Sequence, residues 1–324
     1  MEQRRLGRSG LRVSRLALGT MTWGRDTDEH EAREQLEAFV DCGGTLVDTA
    51  ASYADGDSER VVGSLLGRVV ARAEVVLATK AGVSRADGVR RVDTSRGVLL
   101  DQLDGSLRRL GTDHVDLWQV HAWCDEVPLE ETLAALDHAV ASGRARYVGV
   151  SNYSGWQTGW AAAWQVGSPG RAPLTSTQVE YSLLQRGVER EVLPAVERLG
   201  LGVLPWSPLG RGVLTGKYRA GTPADSRAAS PHFADFIEVY LDERSRRVVE
   251  AVCTAADGLG VQPLEVALAW VRDRPGVTCP VVGARTAAQL RGALPVEQIS
   301  LPEEIRVALD EVSAPVVGYP ERTR

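Results

Sequence analysis

Cysteine is scarce and scattered in this chain of 324 residues: Cys42, Cys124, Cys253 and Cys279 stand singly, with no Cys-x-x-Cys spacing. Neither a disulfide framework nor a zinc knot is offered, and the pattern fits a reducing compartment. Histidine is as sparse, five in all and no His-x-x-x-His pair, so no metal site is expected. No run of about eighteen apolar residues occurs, and no apolar core follows the opening Met-Glu-Gln-Arg-Arg. Neither a membrane span nor a secretory leader is therefore expected, and a cytoplasmic protein is. Positive charge is also in deficit, with 37 Lys and Arg against 43 Asp and Glu for a net charge of −6. Basic residues gather only in short clusters such as Arg90-Arg91 and Arg246-Arg247, read as solvated faces, which disfavours a nucleic-acid partner.

Two further absences narrow the architecture. No Pro/Gly/Ser-rich linker divides the chain, and 44% apolar residues suffice for one large core, so a single domain over 1–324 is expected. No Gly-x-Gly-x-x-Gly turn follows an early strand, which weakens the case for a doubly wound dinucleotide-binding sheet. The segment Gly210-Arg-Gly212-Val-Leu-Thr-Gly216-Lys217 looks like a phosphate loop but has the wrong spacing. A P-loop would need glycine where Arg211 stands and Ser or Thr in place of Tyr218.

What the chain does contain is a repeated strand-then-helix pattern. After a stretch from Arg4 to Val13 whose Gly7 and Ser9-Gly10 predict a hairpin, short aliphatic runs read as strands at 15–20, 44–48, 74–80, 114–121, 146–151, 175–181, 202–207 and 278–283. Helical patterns begin near Asp28 and cover about 58–70, 94–110 and 129–142, the last ending at Gly143 as a helix C-terminus should. Eight βα units in a chain of this size predict a closed (β/α)8 barrel. A long segment, 208–240, breaks the spacing after the seventh strand and is expected to cover the barrel mouth; 295–324 reads as a C-terminal helix and tail.

Asp48, Tyr53, Lys80 and His121 fall at or just past the C-terminal ends of successive strands, where a barrel builds its active site. A tyrosine with an ordinary pKa near 10 is a poor proton donor at neutral pH. A lysine ammonium beside it would favour the phenolate and lower that value, and an aspartate would hold the lysine charged and aimed. Tyr53 then serves as general acid while His121 orients a substrate oxygen, a division of labour suited to carbonyl reduction. Lys80 closes an apolar strand, so its buried ammonium needs a partner. As a free amine it could instead form a Schiff base in a lyase.

Leu46-Val-Asp48-Thr-Ala-Ala-Ser-Tyr53, followed by Ser58-Glu59 and Gly63, with Ala78-Thr-Lys80 and Val120-His121, resembles the signature of the aldo-keto reductases. The resemblance runs from about Leu6 to Leu294. Its Trp-Ser-Pro-Leu and Gly-Lys-Tyr segments are similar to the branch of bacterial reductases and potassium-channel β subunits. It implies the tetrad in the roles above and an extended nicotinamide dinucleotide, NADP(H), bound across the mouth. Carried over by position, it places Gly19 and Thr20 beside the nicotinamide ribose. Ser151, Asn152 and Gln178 would hold the carboxamide, with Trp206 stacked on the ring. Ser207, Leu209, Gly212 and Lys217 would line the pyrophosphate, while Gly283, Arg285 and Gln289, with Arg227, would hold the adenosine and its 2′-phosphate. Arginine suits that last task through its bidentate fork. One departure is Gly292 and Ala293, where the family commonly has two polar contacts to adenine, which loosens the preference for NADPH over NADH.

Trp23 and Trp123 are expected to wall an apolar pocket for an aromatic or mid-sized carbonyl substrate. Cys124 in the same loop is expected to be buried and inert. The resemblance leaves a second function open, a cofactor-holding redox sensor that works through a partner protein, and it leaves both monomers and homo-oligomers open.

Overall fold

The computed structural model describes residues 1–86, 88–219, 221, 237–316 and 318–319. The chain starts with an antiparallel hairpin, β1 (Gln3–Arg5) and β2 (Arg12–Ser14). It lies across the end of the barrel where strands begin. Gly7 turns it with φ of 57°, and a Cβ there would come within 2.5 Å of the Gly200 carbonyl, so only glycine fits.

Then come the barrel strands: β3 (Ala17–Gly19), β4 (Leu46–Asp48), β5 (Val76–Ala81), β8 (Val115–Val120), β9 (Ala145–Ser151), β10 (Leu174–Glu180), β11 (Gly202–Trp206) and β12 (Val281–Gly283). They pair in parallel in that order and close where Val281–Gly283 meets Ala17–Gly19, which yields the expected (β/α)8 barrel. Closure leaves no free sheet edge. Leu6, Ala17, Leu46, Ala78, Leu117, Leu204 and Cys279 fill the interior, so the barrel is a packed core open to chemistry only at its mouth.

The outer ring begins with α1 (Glu29–Asp41), whose N-terminus is capped by the Asp28 carboxylate accepting the Glu31 N–H. It continues with α2 (Asp57–Leu65), α3 (Arg96–Leu110), α4 (Leu129–Ala141), α5 (Gly155–Val166) and α6 (Val192–Leu199). The helices α7 (Glu243–Leu259), α8 (Pro263–Arg272), α9 (Ala287–Ala293) and α10 (Glu303–Val312) complete it. The second helix stops at Leu65, five residues short of the expected end, because Leu66 turns extended and Gly67 adopts φ of 79°.

Two strands have no counterpart in the sequence reading. Between β5 and α3 the chain forms a second antiparallel hairpin, β6 (Val83–Ala86) and β7 (Val89–Val92), standing at the mouth end of β5. Within the segment 208–240, residue 220 and residues 222–236, with Arg227, lie outside the described residues. Among the described residues no helix is long and apolar enough to cross a membrane, and no cluster of His, Cys, Asp and Glu is disposed to hold a metal ion.

Candidate active site

The barrel brings the four predicted side chains together. The Lys80 Nζ donates to the Asp48 carboxylate at 2.6 Å, to the Thr49 carbonyl at 2.8 Å and to the Tyr53 hydroxyl at 3.3 Å. The Tyr53 and His121 rings meet edge to face, centroids 5.8 Å apart. The alternation of β4 and β5 turns Asp48 and Lys80 into the interior, at 2% and 1% exposure, while Tyr53 and His121, on loops past the strand ends, stay partly open to solvent. The other Asp48 oxygen accepts from the Gln178 amide at 2.9 Å, so the carboxylate is held from both sides.

Burial alone would lower the Lys80 pKa. The Asp48 charge and its hydrogen bond, with Tyr53, outweigh that and leave the ammonium above its ordinary value. Tyr53 corrects the sequence-based expectation. Burial raises the phenol above its usual value, against the pull of Lys80, so in the free protein it stays protonated. His121 is held well below its usual 6.5, by burial first and then by the positive charges of Lys80 and Arg90. Its imidazole is neutral at physiological pH, with Nδ1 3.4 Å from the Ser52 hydroxyl.

A His121 pKa below the unfolded value means that the unfolded chain binds the extra proton once pH falls under about 6.5. Stability is expected to decline as pH drops from there, and less steeply in His121→Gln. Urea unfolding of both proteins across the acid range checks this, and equal slopes would refute it.

The shell around the tetrad is built from residues to which the sequence reading gave no role, Ser58, Glu59 and Gly63 having been noted there only as part of the signature. Glu59, fully buried, accepts from Thr79, the neighbour of Lys80, and from Arg109 Nε at 2.7 Å. The Arg109 side chain runs through a slot where Cβ atoms at Gly56 and Gly105 would meet it at 2.8 Å and 3.0 Å, and a Cβ at Gly63 would strike its carbonyl at 2.4 Å. The Ser58 hydroxyl bonds the Thr20 carbonyl, 2.7 Å away, and lies 3.1 Å from the Thr49 hydroxyl, tying the ends of β3 and β4. Main-chain roles such as that of Thr49 leave no mark in a sequence.

Of the residues assigned to a coenzyme, one group forms a connected patch beside the tetrad. The Ser151 hydroxyl donates to the Gln178 carbonyl at 2.9 Å; the Asn152 amide donates to the His121 carbonyl at 2.9 Å and accepts from the Trp206 indole at 3.0 Å. Asn152 does this from a left-handed backbone, φ 58°, a conformation asparagine tolerates. Among the described residues the other non-glycine members of that class are Ala54, Asp55, Ser207 and Arg211. All five follow barrel strands at the mouth, where strained backbone gathers at functional sites.

The rest of that set is more spread out. Gly19 and Thr20 are buried at the end of β3, and a Cβ at Gly19 would come within 2.8 Å of Val281. Ser207 and Leu209 are half-buried; Gly212 has φ of 95°, and a Cβ there would lie 3.2 Å from the Lys217 ammonium. Arg211 pairs with both oxygens of Glu180 at the end of β10. Beyond β12, Gly283 is exposed and Arg285 half-buried, its N–H donating to the Gln289 side chain at 3.0 Å. Gly292 faces open space and Ala293 is buried, so neither reaches toward the mouth with a polar group.

The two tryptophans do not wall a pocket together. Trp23 is fully buried, its indole N–H bound to Gln35 of α1. Trp123 is half-buried and packs on Tyr153, Trp156 and Trp160, with ring centroids 5.1, 5.4 and 6.1 Å away. Met21, one residue past Thr20, is partly exposed where Trp23 is not. Cys124 is buried, as expected.

A parallel eight-stranded barrel with an aspartate, a tyrosine, a lysine and a histidine joined at its C-terminal mouth defines a class of barrel oxidoreductase. The model of the aldo/keto reductase family matches residues 15–314, and the chain belongs to that family. It is 40% identical to an uncharacterized oxidoreductase of Bacillus subtilis, YrpG, over 96% of each chain. It is 36% identical to a rice protein named as a probable voltage-gated potassium channel subunit beta, covering 100% of this chain and 99% of that one. It is also 34% identical to the L-glyceraldehyde 3-phosphate reductase of Escherichia coli, over 90% of this chain and 86% of the relative.

Proposed function

We propose that this protein reduces aldehydes and ketones to alcohols with NADPH, and that Tyr53 delivers the proton. The observation that carries the reading is the chain of contacts from Asp48 through Lys80 to the Tyr53 hydroxyl. A phenol with a raised pKa keeps its proton until a strong base appears beside it, and an alkoxide forming at a carbonyl oxygen is such a base. The phenolate left behind faces an ammonium 3.3 Å away whose own charge is secured by Asp48. Reprotonation from solvent then restores the acid. The Ser52 hydroxyl lies 3.4 Å from Nδ1, and the neutral tautomer in which Nδ1 accepts from it would present Nε2–H to orient the carbonyl oxygen.

The residues present fit a nicotinamide dinucleotide. Ser151, Asn152 and Gln178 converge beside Asp48, half-exposed Trp206 is pinned by Asn152, and the left-handed run Ser207, Gly210, Arg211 and Gly212 curls the backbone as anion-binding loops do. Such a coenzyme would supply the hydride, with its carboxamide at the first three residues and Trp206 against its ring. Lys217 would lie near the pyrophosphate and Arg285, with Gln289, near the adenosine 2′-phosphate, the contact that favours NADPH.

A second reading has support in the plant relatives named as channel β subunits: a coenzyme-holding sensor that acts through a partner. A Schiff-base lyase is disfavoured, because Asp48 keeps Lys80 as an ammonium rather than a free amine. Oxidation of NADPH, followed by absorbance with a panel of aromatic and aliphatic aldehydes, decides. Turnover is expected; tight coenzyme binding with no turnover of any carbonyl would favour the sensor, and no coenzyme binding would end both readings.

A further inference from the structure

The β6–β7 hairpin carries three arginines, and its register sorts them. Val83 pairs with Val92, Ser84 with Arg91, and Arg85 with Arg90. Side chains alternate along each strand and directly opposed residues share a face. Arg85 and Arg90 therefore share the face of Val83 and Val92, while Arg91 shares the opposite one with Ser84. Val83 is buried and Val92 half-buried, so the valine face is the one turned to the protein body.

That body is the active-site rim. The His121 N–H donates to the Ala81 carbonyl at 2.8 Å, two residues before the hairpin begins, and the Cys124 thiol lies 3.6 Å from the Val92 carbonyl. The loop carrying His121 is thus bonded to both feet of the hairpin. Arg90 is near enough for its charge to act on the His121 ring. Two like charges placed directly opposite each other destabilise a strand pair. Among the described residues neither Arg85 nor Arg90 makes an ion pair, so that repulsion goes uncompensated. An anion between the two guanidinium groups would relieve it.

The coenzyme does not account for the pair. Around the barrel β5 stands three strands from β12, whose far end carries Arg285, the residue offered to the 2′-phosphate. The hairpin overhangs the other side of the mouth.

We infer that Arg85 and Arg90 form a subsite for the negatively charged group, carboxylate or phosphate, of a carbonyl substrate whose reactive carbon lies at Tyr53 and His121. The inference rests on the proposed reductase activity for its reaction, while the anion subsite stands on the hairpin alone. It makes the preferred substrate an anionic aldehyde or ketone rather than the purely apolar one expected from Trp23 and Trp123.

The test compares matched aldehydes: benzaldehyde with 4-carboxybenzaldehyde, and glycolaldehyde with glycolaldehyde phosphate. Wild type is expected to favour the charged member of at least one pair in kcat/KM, and which pair responds separates carboxylate from phosphate. Arg90→Gln is expected to reduce that preference about fivefold, the scale of one exposed ion pair, with the neutral aldehydes unchanged. Arg91→Gln removes the same charge from the opposite face and is expected to leave the preference intact. Raised salt should weaken the preference in wild type more than in Arg90→Gln.

Calorimetric titration of 4-carboxybenzyl alcohol and of glycerol phosphate, with benzyl alcohol and glycerol as neutral controls, covers a protein that reduces nothing. Binding of the charged member that Arg90→Gln weakens and Arg91→Gln spares would keep the subsite while the reductase reading fell. Equal treatment of charged and neutral partners in both assays, or equal loss in Arg90→Gln and Arg91→Gln, would overturn the inference.

Discussion

Tyr53→Phe is expected to lower kcat for aldehyde reduction by about 10² to 10⁴-fold, the span general acid catalysis supplies, with the coenzyme dissociation constant little changed. The hydroxyl is the only atom removed. It is the hydroxyl that accepts from the Lys80 ammonium at 3.3 Å, and no other hydroxyl touches that ammonium among the described contacts. The Thr20, Thr49 and Ser58 hydroxyls are buried and engaged with one another or with main-chain carbonyls. Single-turnover measurement isolates the chemical step from product release. A loss under about tenfold in that step would assign the proton to another group and remove Tyr53 from the mechanism.

Asp48→Asn is expected to destabilise the fold by about 3–5 kcal/mol, because it leaves the buried Lys80 ammonium without its counter-charge. Among the described residues Asp48 is the only carboxylate paired with Lys80, and the Thr49 carbonyl and Tyr53 hydroxyl that also accept from it bring no full counter-charge, so the asparagine variant has no second carboxylate to fall back on. The dependence on pH should also reverse. In the wild type the Lys80 pKa lies above its ordinary 10.5. Its contribution is therefore complete below that pH and is lost as alkalinity climbs through the folded value. Without Asp48, burial dominates and pulls the folded value under the unfolded one. The unfolded chain then binds more protons in between, and the variant should gain stability as pH rises toward 10.5. Lys80→Met added to Asp48→Asn should recover much of the loss. Urea unfolding from pH 7 to pH 10 on the three proteins checks all of this; a variant that loses stability on going alkaline would refute it.

Much of this was legible in the sequence, for reasons that can be named. Parallel strands buried on both faces are written as runs rich in aliphatic and β-branched residues, and all eight barrel strands were found from such runs. The β6–β7 hairpin was not, because its strands are short and mostly exposed and their polar residues include Ser84, Arg85, Arg90 and Arg91. Without apolar alternation only Val83, Val89 and Val92 mark it, and one of these is solvent-facing. Arg90 and Arg91 are both exposed, as the reading of a solvated cluster expected; what the sequence did not show is that the strand sends them to opposite faces.

The tetrad could be read because each member ends a strand or follows one. The direction of the Tyr53 shift could not, since it depends on how far burial of the phenol outweighs an ammonium, and no motif encodes burial. Trp23 failed for a related reason. Its distance past the strand end suited a pocket wall, but the chain bends back through Thr22 and Thr27, which hydrogen-bond to each other and to the carbonyls of Ala284 and Arg285, and the indole turns into the core.

The slot around Arg109 ties together the fates of residues far apart in the chain. Gly56, Gly63 and Gly105 each occupy ground that a methyl group would take from Arg109 or its backbone, and Arg109 in turn holds the carboxylate that steadies the strand of Lys80. A substitution at any of the three would push on the same guanidinium or the same helix. Once one has been made, a second should do less further harm than it does alone. In a mutational library the four positions would behave as one inherited unit, so the reach of the active site over sequence extends to glycines that never touch it.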